Sequence, residues 1–223
     1  MHLGIIMDGN RRWAKERGLQ ALDGHKQGAE NARKIARHCK NRGIKFLTLY
    51  AFSTENWQRE PLEVNLIMRL FGSFLDKWME ELRTENVKLL FIGQRERLLS
   101  SLRKKMGEAE YQTRKNNNLT LILAVSYGGR EEIASALKRM IKEGVSPEDV
   151  SEENIGNYLY TAGLPNPDII IRTSGEIRTS GFLLWQSAYS ELYFTEKYWP
   201  DFSEDDLDKA LEEYTRRQRR FGK

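Results

Sequence analysis

Short runs of apolar residues alternate along the chain with longer stretches in which apolar residues recur at helical spacing. The runs predict six β-strands, at residues 2–7, 46–52, 87–92, 119–125, 168–171 and 191–194. The stretches between them predict helices, the main ones at residues 11–17, 24–41, 61–82, 96–114, 126–142 and from 203 onward. Mostly apolar strands that alternate with long helices are typical of a parallel sheet covered on both faces. We therefore expect an α/β fold with one domain, residues 1–223, built on a central, mostly parallel six-stranded sheet flanked by helices.

Four of the predicted strands run directly into a polar loop. These loops are Asp8-Gly9-Asn10 and residues 53–57, 127–130 and 172–176. Because ligands of α/β proteins bind at the carboxyl ends of parallel strands, we expect the four loops to form one site. For the first loop alone a second interpretation stays open, in which Asp8 only caps the next helix and Gly9 makes the turn.

The loops are rich in side chains that bind phosphate. An arginine binds phosphate oxygens through paired hydrogen bonds, and hydroxyls and backbone N–H groups complete such a site. Taken singly, each arginine is better explained as a solvated surface charge, and only the joint position after strands favours a site. Together the donors are numerous enough for two diphosphates. They are Arg11, Arg12, Arg59, Arg172, Arg178, Ser53, Ser174 and Ser180.

Carboxylates are few in the same region. A pair of them could hold Mg²⁺, which prefers one or two carboxylates together with phosphate oxygens and water. The candidates are Asp8, Glu55, Glu176 and Glu191. The three histidines lack the spacing of a zinc site. The sequence also lacks the phosphate-binding loop of common ATPases, a dinucleotide-binding glycine motif after a strand, and the Gly-x-Ser-x-Gly motif of hydrolases.

The composition limits which partners and which cellular compartment we expect. The 223 residues carry a net charge of +4, which suits small acidic substrates but is too mild to indicate nucleic acid. A single cysteine, Cys39, excludes an internal disulfide and fits a reducing compartment. No apolar run approaches the ~20 residues that span a bilayer. We expect a cytoplasmic protein, with peripheral contact to a membrane left open and no nucleic-acid partner.

Large apolar residues crowd the strands and the helix at 61–82. Most of them must form the core, but a few could line a channel for a hydrocarbon chain behind the phosphate site. We expect such an apolar tunnel between the sheet and the helices. The residues in question include Leu47, Leu49, Phe52, Phe71, Phe74, Trp78, Leu89, Phe91, Leu121 and Leu123.

Several motifs occur in a fixed order along nearly the whole chain, and with them the sequence closely resembles the cis-prenyltransferases, whose bacterial type is undecaprenyl diphosphate synthase. The motifs are Met7-Asp8-Gly9-Asn10-x-Arg12-Trp13-Ala14, Gly24-His25, Tyr50-Ala51-Phe52-Ser53-x-Glu55-Asn56-Trp57-x-Arg59, Tyr127-Gly128-Gly129-Arg130, Arg172-Thr173-x-Gly175-Glu176-x-Arg178-x-Ser180, Phe182-Leu183-Leu184-Trp185-Gln186, Glu191-Leu192-Tyr193, Trp199-Pro200-Asp201-Phe202 and Arg219-Arg220-Phe221-Gly222.

The resemblance implies an Mg²⁺-dependent transferase. It would condense isopentenyl diphosphate with an allylic diphosphate in Z configuration and make a longer polyprenyl diphosphate, such as the undecaprenyl lipid carrier of cell-wall or glycan synthesis. The family forms homodimers through the C-terminal part of the sheet. A non-catalytic partner subunit of a prenyltransferase complex is the alternative, but such a subunit would be expected to lose Asp8 and the first-loop arginines.

The resemblance also implies roles for individual residues. Asp8 would carry Mg²⁺ at the allylic diphosphate, and Asn56 would lie near the proton that the isopentenyl unit loses. Glu191 would join the metal site, with the partner subunit as one source of it. The other residues would bind substrate: Gly9, Asn10, Arg11, Arg12, Trp13 and His25 at the allylic diphosphate, Ser53, Thr54, Glu55, Trp57 and Arg59 around Asn56, and Arg172, Arg178, Thr179 and Ser180 at the isopentenyl diphosphate.

Three positions depart from the family's usual pattern. Ala21 stands where many bacterial members have an arginine, so that one phosphate contact is missing or is supplied by Arg11 or Arg17. Gly181 replaces a usual asparagine, and Ile177 replaces a polar residue. These departures concern details of diphosphate binding rather than the reaction class.

Overall fold

A six-stranded parallel sheet forms the centre of the protein, in the order β3-β4-β2-β1-β5-β6. The computed structural model describes residues 1–217. The predicted fold class is confirmed, and every pairing between these six strands is parallel. The strands are β1 His2–Ile6, β2 Phe46–Ser53, β3 Val87–Ile92, β4 Leu119–Tyr127, β5 Ile169–Arg172 and β6 Glu191–Phe194.

Seven α-helices connect and cover the strands of the described chain. They are α1 Asn10–Glu16, α2 Ala21–Asn41, α3 Pro61–Thr84, α4 Ser100–Thr113, α5 Gly129–Lys142, α6 Glu152–Tyr158 and α7 Glu204–Arg216. The sequence predicts α2 three residues too short, because Ala21 begins the helix ahead of Gly24. It predicts α4 too long, because the chain turns at residues 96–99 before Ser100. The predicted basic tail at residues 219–222 lies outside the described residues.

The two faces of the sheet bury separate apolar clusters. The larger cluster fills the space between the sheet and helices α2, α3, α4 and α7, and the smaller one lies under residues 182–183 on the other face. Strand β4 shows the division, since Leu121 and Leu123 belong to the first cluster and Ile122 and Ala124 to the second. Burial of both faces explains why residues 121–125 of this strand are all apolar instead of alternating with polar residues.

No helix within residues 1–217 combines the length and the apolarity that crossing a lipid bilayer takes. The longest, α3, has 24 residues but carries charged side chains along its exposed side. Its apolar residues repeat at helical spacing and pack against the sheet, which is the pattern of a surface helix in a globular protein.

Candidate active site

A cavity of about 1330 Å³ opens at the carboxyl ends of β1, β2, β4 and β5. The parallel register places the ends of these strands side by side, so that the four polar loops meet as the sequence predicts. Most of the predicted site residues line the cavity. They are Asp8, Gly9, Asn10, Arg11, Arg12, His25, Ser53, Thr54, Glu55, Asn56, Arg59, Arg172 and Ser180.

Asp8 lies between the ends of β1 and β5, held by Arg172. One carboxylate oxygen accepts a hydrogen bond from Nη2 of Arg172 at 2.8 Å, and the other accepts one from the backbone N–H of Gly9 at 2.7 Å. Burial opposes the charge of this carboxylate, but the hydrogen bond and positive charge of Arg172, with that of Arg12, outweigh it and lower the pKa of Asp8. Asp8 is therefore ionised and partly open to the cavity.

The turn after Asp8 requires glycine. Gly9 has φ 104°, and a Cβ there would lie 2.6 Å from Cδ1 of Tyr198. Gly9 precedes α1, and its missing side chain leaves the first N–H groups of that helix without a side-chain cap. Residues 9–12 line the cavity, so that this helix start contributes donors and a partial positive charge to it.

Arg172 is the most buried charged group of the site, with 6% of its side chain exposed. Besides its contact with Asp8, its Nη1 donates to the carbonyl oxygen of Arg178 at 2.6 Å and to Oγ of Ser180 at 2.8 Å. Its Nε is buried and has no hydrogen-bond partner in the described structure. A buried donor without a partner is costly, which favours an anionic ligand at this point.

Arg12 reaches across from α1 to the loop after β5. Its Nη2 donates to Oγ of Ser174 at 2.5 Å, and its Nη1 donates to the carboxylate of Glu176 at 3.1 Å. Ser174 has φ 79°, a conformation that residues other than glycine rarely adopt. Strained backbone of this kind occurs most often where a binding site fixes the chain, and here it presents a hydroxyl to Arg12.

His25 and Arg59 face a carboxylate that sequence reasoning missed. Glu63, one turn after Arg59 on α3, accepts a hydrogen bond from Nη1 of Arg59 at 3.2 Å and lies 3.7 Å from Nε of Arg11 and 4.0 Å from Nε2 of His25. The i, i+4 spacing of Arg59 and Glu63 was the available signal. The negative charge of Glu63 balances the positive charges of Arg59 and Arg11 beside the cavity.

Burial, and after it the positive charge of Arg59, lowers the pKa of His25 to about 4, although Glu63 opposes the shift. Nε2 of His25 is buried without a hydrogen-bond partner among residues 1–217, as is Oδ1 of Asn10. The neutral imidazole is thus a free polar group at the cavity wall, in a position to donate a hydrogen bond to an anion.

Asn56 forms hydrogen bonds within the turn that contains it. The N–H of Ser53 donates to Oδ1 of Asn56 at 3.1 Å, and the N–H of Asn56 donates to Oγ of Ser53 at 3.3 Å. This reciprocal capping fixes the short 3₁₀ segment Thr54–Gln58 after β2. The amide oxygen is occupied, which leaves the amide nitrogen as the group that Asn56 offers to the cavity.

Four predicted substrate-binding residues do not line this cavity. Trp13 donates from Nε1 to Asp201 at 2.7 Å, and Trp57 donates from Nε1 to Ser126 at 2.9 Å. Each indole N–H therefore bonds a neighbouring segment, and both side chains pack beside the site instead of lining it. Arg178 lies at the rim with 60% of its side chain exposed, paired with Glu176, and the fourth residue is Thr179.

Glu191 is not beside Asp8 within one chain. The register pairs Leu3 with Ile169 and Ile169 with Glu191, so Glu191 lies at the amino end of the sheet, whereas Asp8 follows the carboxyl end. The offset is about 16 Å along the strands. Glu191 accepts a hydrogen bond from Arg217 at 2.9 Å. Strand polarity separates Asp8 and Glu191 within one chain, so that the predicted place of Glu191 at the metal, with the partner subunit as its source, stays a prediction.

The departures from the family pattern have local explanations. Gly181 has φ 75°, a region that glycine and asparagine both adopt, so its replacement of asparagine preserves the turn. Ile177 is exposed, and Ala21 lines the cavity. Cavity residues that lie outside the predicted loops and motifs include Lys15, Ile67 and Glu131.

The residues of the site fit a magnesium ion that would be held partly by the protein and partly by substrate phosphates. Residues 1–217 contain no group of three or more metal-binding side chains. The ionised carboxylate of Asp8 lies amid donors suited to phosphate oxygens. Mg²⁺ accepts such a set, because it commonly keeps water and takes most of its remaining ligands from substrate phosphates.

Comparison with known proteins agrees with this geometry. A family model described as "Putative undecaprenyl diphosphate synthase" matches residues 6–222. The isoprenyl transferase of Bacillus thuringiensis subsp. konkukian (strain 97-27) is 48% identical over 225 residues, which cover 99% of this chain and 87% of that protein. The Micrococcus luteus protein named ditrans,polycis-undecaprenyl-diphosphate synthase ((2E,6E)-farnesyl-diphosphate specific) is 46% identical, over 99% of this chain and 90% of that protein.

A solved structure agrees equally well. Lavandulyl diphosphate synthase from Lavandula x intermedia, in complex with dimethylallyl diphosphate, matches with a TM-score of 0.95 and 39% identity, over 100% of this chain and 98% of that one. A family match over almost the whole chain, and relatives of this identity and coverage, show that the chain belongs to the undecaprenyl diphosphate synthase family of cis-prenyltransferases.

Proposed function

We propose that this protein condenses isopentenyl diphosphate with an allylic diphosphate in Z configuration and releases a longer polyprenyl diphosphate. The observation that carries the proposal is the single cavity in which Asp8, Arg12 and Arg172 meet phosphate-binding loops from four strands. The relative bound to dimethylallyl diphosphate supports an allylic substrate, and the Micrococcus luteus relative supports farnesyl diphosphate as one primer.

Two groups of donors suit two diphosphates. The start of α1, with Asn10 and Arg11, and the neutral His25 form one group, assigned to the allylic diphosphate. Arg172 and Ser180 form the second group, assigned to the isopentenyl diphosphate. The predicted roles of Arg178 and Thr179 at the second diphosphate require movement of their rim segment toward the cavity and stay predictions.

The chain's own groups favour ionisation of the allylic substrate. Breaking the bond between its C1 and the diphosphate places negative charge on the leaving oxygens and positive charge on the allylic carbons. Fixed donors from Arg12 and the start of α1 stabilise the leaving group more strongly than the intact substrate. Apolar side chains such as Ile6 and Phe52 line the same cavity and exclude water from the cationic carbon. Magnesium, when bound at Asp8, neutralises charge on the leaving diphosphate.

Condensation ends when the isopentenyl unit loses a proton. Asn56 is a poor base, because an amide is not protonated near neutral pH and its oxygen already accepts the N–H of Ser53. We assign Asn56 the role of hydrogen-bond donor through its amide nitrogen. The proton then passes to a diphosphate oxygen or to water. The predicted apolar tunnel behind the phosphates also stays a prediction.

We further propose that the protein acts as a homodimer through the edge strand β6. Two exposed apolar side chains lie at this edge, Tyr189 beside β6 and Leu192 on it. Exposed apolar patches of this kind are typical of interfaces. Glu191 from the partner subunit would then be the remaining route to the metal site. Peripheral contact with a membrane would accompany release of a long apolar product.

The test is elongation with defined substrates. The protein is incubated with Mg²⁺, labelled isopentenyl diphosphate and either geranyl or farnesyl diphosphate, and the products are sized after phosphatase treatment. We expect a ladder of longer products with Z double bonds. Absence of elongation with every allylic primer contradicts the proposal and favours the non-catalytic partner subunit, which the presence of Asp8 and Arg12 argues against.

A further inference from the structure

The hydroxyl of Thr173 contacts both backbone groups of Asp8. The N–H of Asp8 donates to Oγ1 of Thr173 at 3.0 Å, and Oγ1 donates to the carbonyl oxygen of Asp8 at 2.7 Å. One hydroxyl can make both bonds, because it has a proton to donate and lone pairs that accept. Thr173 is fully buried, so any effect on a substrate must pass through the residue that it holds.

This contact lies where the pairing of β1 with β5 ends. The last pair in register is Ile6 with Arg172, and the N–H of Thr173 reaches the carbonyl oxygen of Ile6 only at 3.4 Å. Beyond this point the side chain of Thr173, instead of the backbone ladder, connects β5 to Asp8. Two consecutive residues therefore hold Asp8: Arg172 binds its carboxylate at 2.8 Å, and Thr173 binds its main chain.

Two backbone contacts also hold Asp8 and protect the fold if the hydroxyl is lost. The N–H of Asp8 lies 3.0 Å from the carbonyl oxygen of Ile6, which closes a tight three-residue turn. The N–H of Trp199 donates to the carbonyl oxygen of Asp8 at 2.9 Å. Both polar groups of Asp8 thus keep a partner without Thr173, but they lose the one atom of β5 that binds them together.

We propose that Thr173 is a positioning residue that holds the carboxylate of Asp8 open to the allylic diphosphate and its magnesium ion. This inference rests on the proposed function. Arg172 and Arg12 lie 2.8 and 3.4 Å from the carboxylate oxygens of Asp8, so that a loosely held Asp8 would be drawn onto these cations. Binding groups act well only when they are held to within roughly 0.5 Å. The fixed main chain of Asp8 keeps its carboxylate available to the ligand.

The test removes the hydroxyl while keeping the size of the side chain. Thr173→Val lacks the hydroxyl, and Thr173→Ser retains it. We expect kcat of Thr173→Val to fall roughly 10- to 100-fold, because a displacement of about 1 Å at a reacting centre can cost about 100-fold. Calorimetry should show magnesium pyrophosphate binding roughly fivefold more weakly to this variant. Thr173→Ser should remain within about threefold of the wild type in both measurements.

Thr113→Val is the matched control. Thr113 is also fully buried, and its hydroxyl also bridges two backbone groups: it accepts from the N–H of Leu89 at 3.0 Å and donates to the carbonyl oxygen of Ala109 at 2.9 Å. Thr113 ends α4 shortly before β4 begins, at the edge of the sheet opposite the cavity. Thermal melting should show comparable losses of stability in the two valine variants, whereas only Thr173→Val should lose kcat and affinity for magnesium pyrophosphate.

The outcomes separate this inference from the function on which it rests. A wild-type protein that elongates no primer overturns the proposed function, and the magnesium pyrophosphate titration then decides on Thr173 alone. Wild-type kcat and affinity in Thr173→Val overturn the inference, as do equal losses in Thr113→Val or in Thr173→Ser. If Thr173→Val does not fold, Thr173→Cys takes its place under the same criteria, because a thiol is only a weak donor and acceptor.

Discussion

Replacing Arg172 with lysine isolates the contribution of its forked geometry from that of its charge. The guanidinium holds three acceptors at once: the carboxylate of Asp8 at 2.8 Å, the carbonyl oxygen of Arg178 at 2.6 Å and Oγ of Ser180 at 2.8 Å. A lysine ammonium keeps the positive charge, but its three donors all lie on one nitrogen at the end of a flexible stem. It cannot occupy the positions of both Nη1 and Nη2.

The size of the effect follows from the hydrogen bonds lost. A hydrogen bond to a charged group contributes about 1.5–3 kcal/mol. Lysine preserves one of the contacts and loses at least one other, so we expect kcat/KM for isopentenyl diphosphate to fall roughly 10- to 100-fold, since each 1.4 kcal/mol is a factor of ten. Because Arg172 is buried, its loss also loosens Asp8 and the loop that carries Ser180.

The assay is steady-state elongation at saturating farnesyl diphosphate with varied isopentenyl diphosphate. Arg83→Lys is the matched control, because Arg83 lies near the far end of α3, has 58% of its side chain exposed and pairs only loosely with Glu80 at 3.8 Å. Circular dichroism checks that both variants fold. If Arg172→Lys retains kcat/KM within threefold of the wild type, the forked contact does not serve the isopentenyl diphosphate and the assignment of the second diphosphate is wrong.

Three further changes test other parts of the site. Asp8→Ala should keep the fold, because Asp8 is partly exposed, yet lower turnover about 100- to 1000-fold, the usual cost of removing one preorganised electrostatic group. Normal turnover in this variant contradicts the role of Asp8. The pKa of His25 is about 4 in the free protein and should rise when the pyrophosphate anion binds beside it, which NMR can follow. An unchanged pKa would show that the anion binds elsewhere. Because the pKa of His25 is low, the unfolded state binds a proton that the folded state does not, and the free energy of unfolding should decrease as the pH falls from about 6.5 to 4. Urea titrations of His25→Gln should show a smaller decrease over this pH range. Glu63→Gln should tighten pyrophosphate binding several-fold by calorimetry, because it removes the carboxylate nearest Arg59; weaker binding shows instead that Glu63 orients the arginines.

The sheet and the position of the site could be predicted because both depend on local patterns. Strands such as β4, which is mostly apolar, require cover on both faces, and this indicates a parallel sheet with its ligand site at one edge. Polar loops that follow β1 and β5 must then converge, which is why Asp8 and Arg172 lie within hydrogen-bond distance across 164 residues of chain.

The remaining errors concern side-chain partners and strand polarity. Glu63 lies inside α3, where its charge reads as an ordinary surface position until Arg59 and His25 are placed beside it. Trp57 belongs to a polar loop but turns into the protein to contact Ser126. Glu191 begins β6, as the sequence predicts, and a carboxylate at a strand start lies at the edge away from the site; its place at the metal came only from the family resemblance. The contact of Glu63 with His25 and the inward turn of Trp57 do not follow from residue spacing.

The most direct measurement is a crystal structure of the protein with Mg²⁺, isopentenyl diphosphate and a non-ionising thio analogue of farnesyl diphosphate. We predict one diphosphate at the start of α1 beside Asp8 and Asn10, and the other against Arg172 and Ser180. Diphosphates bound elsewhere, with this cavity left to water, would contradict the assignment of the site.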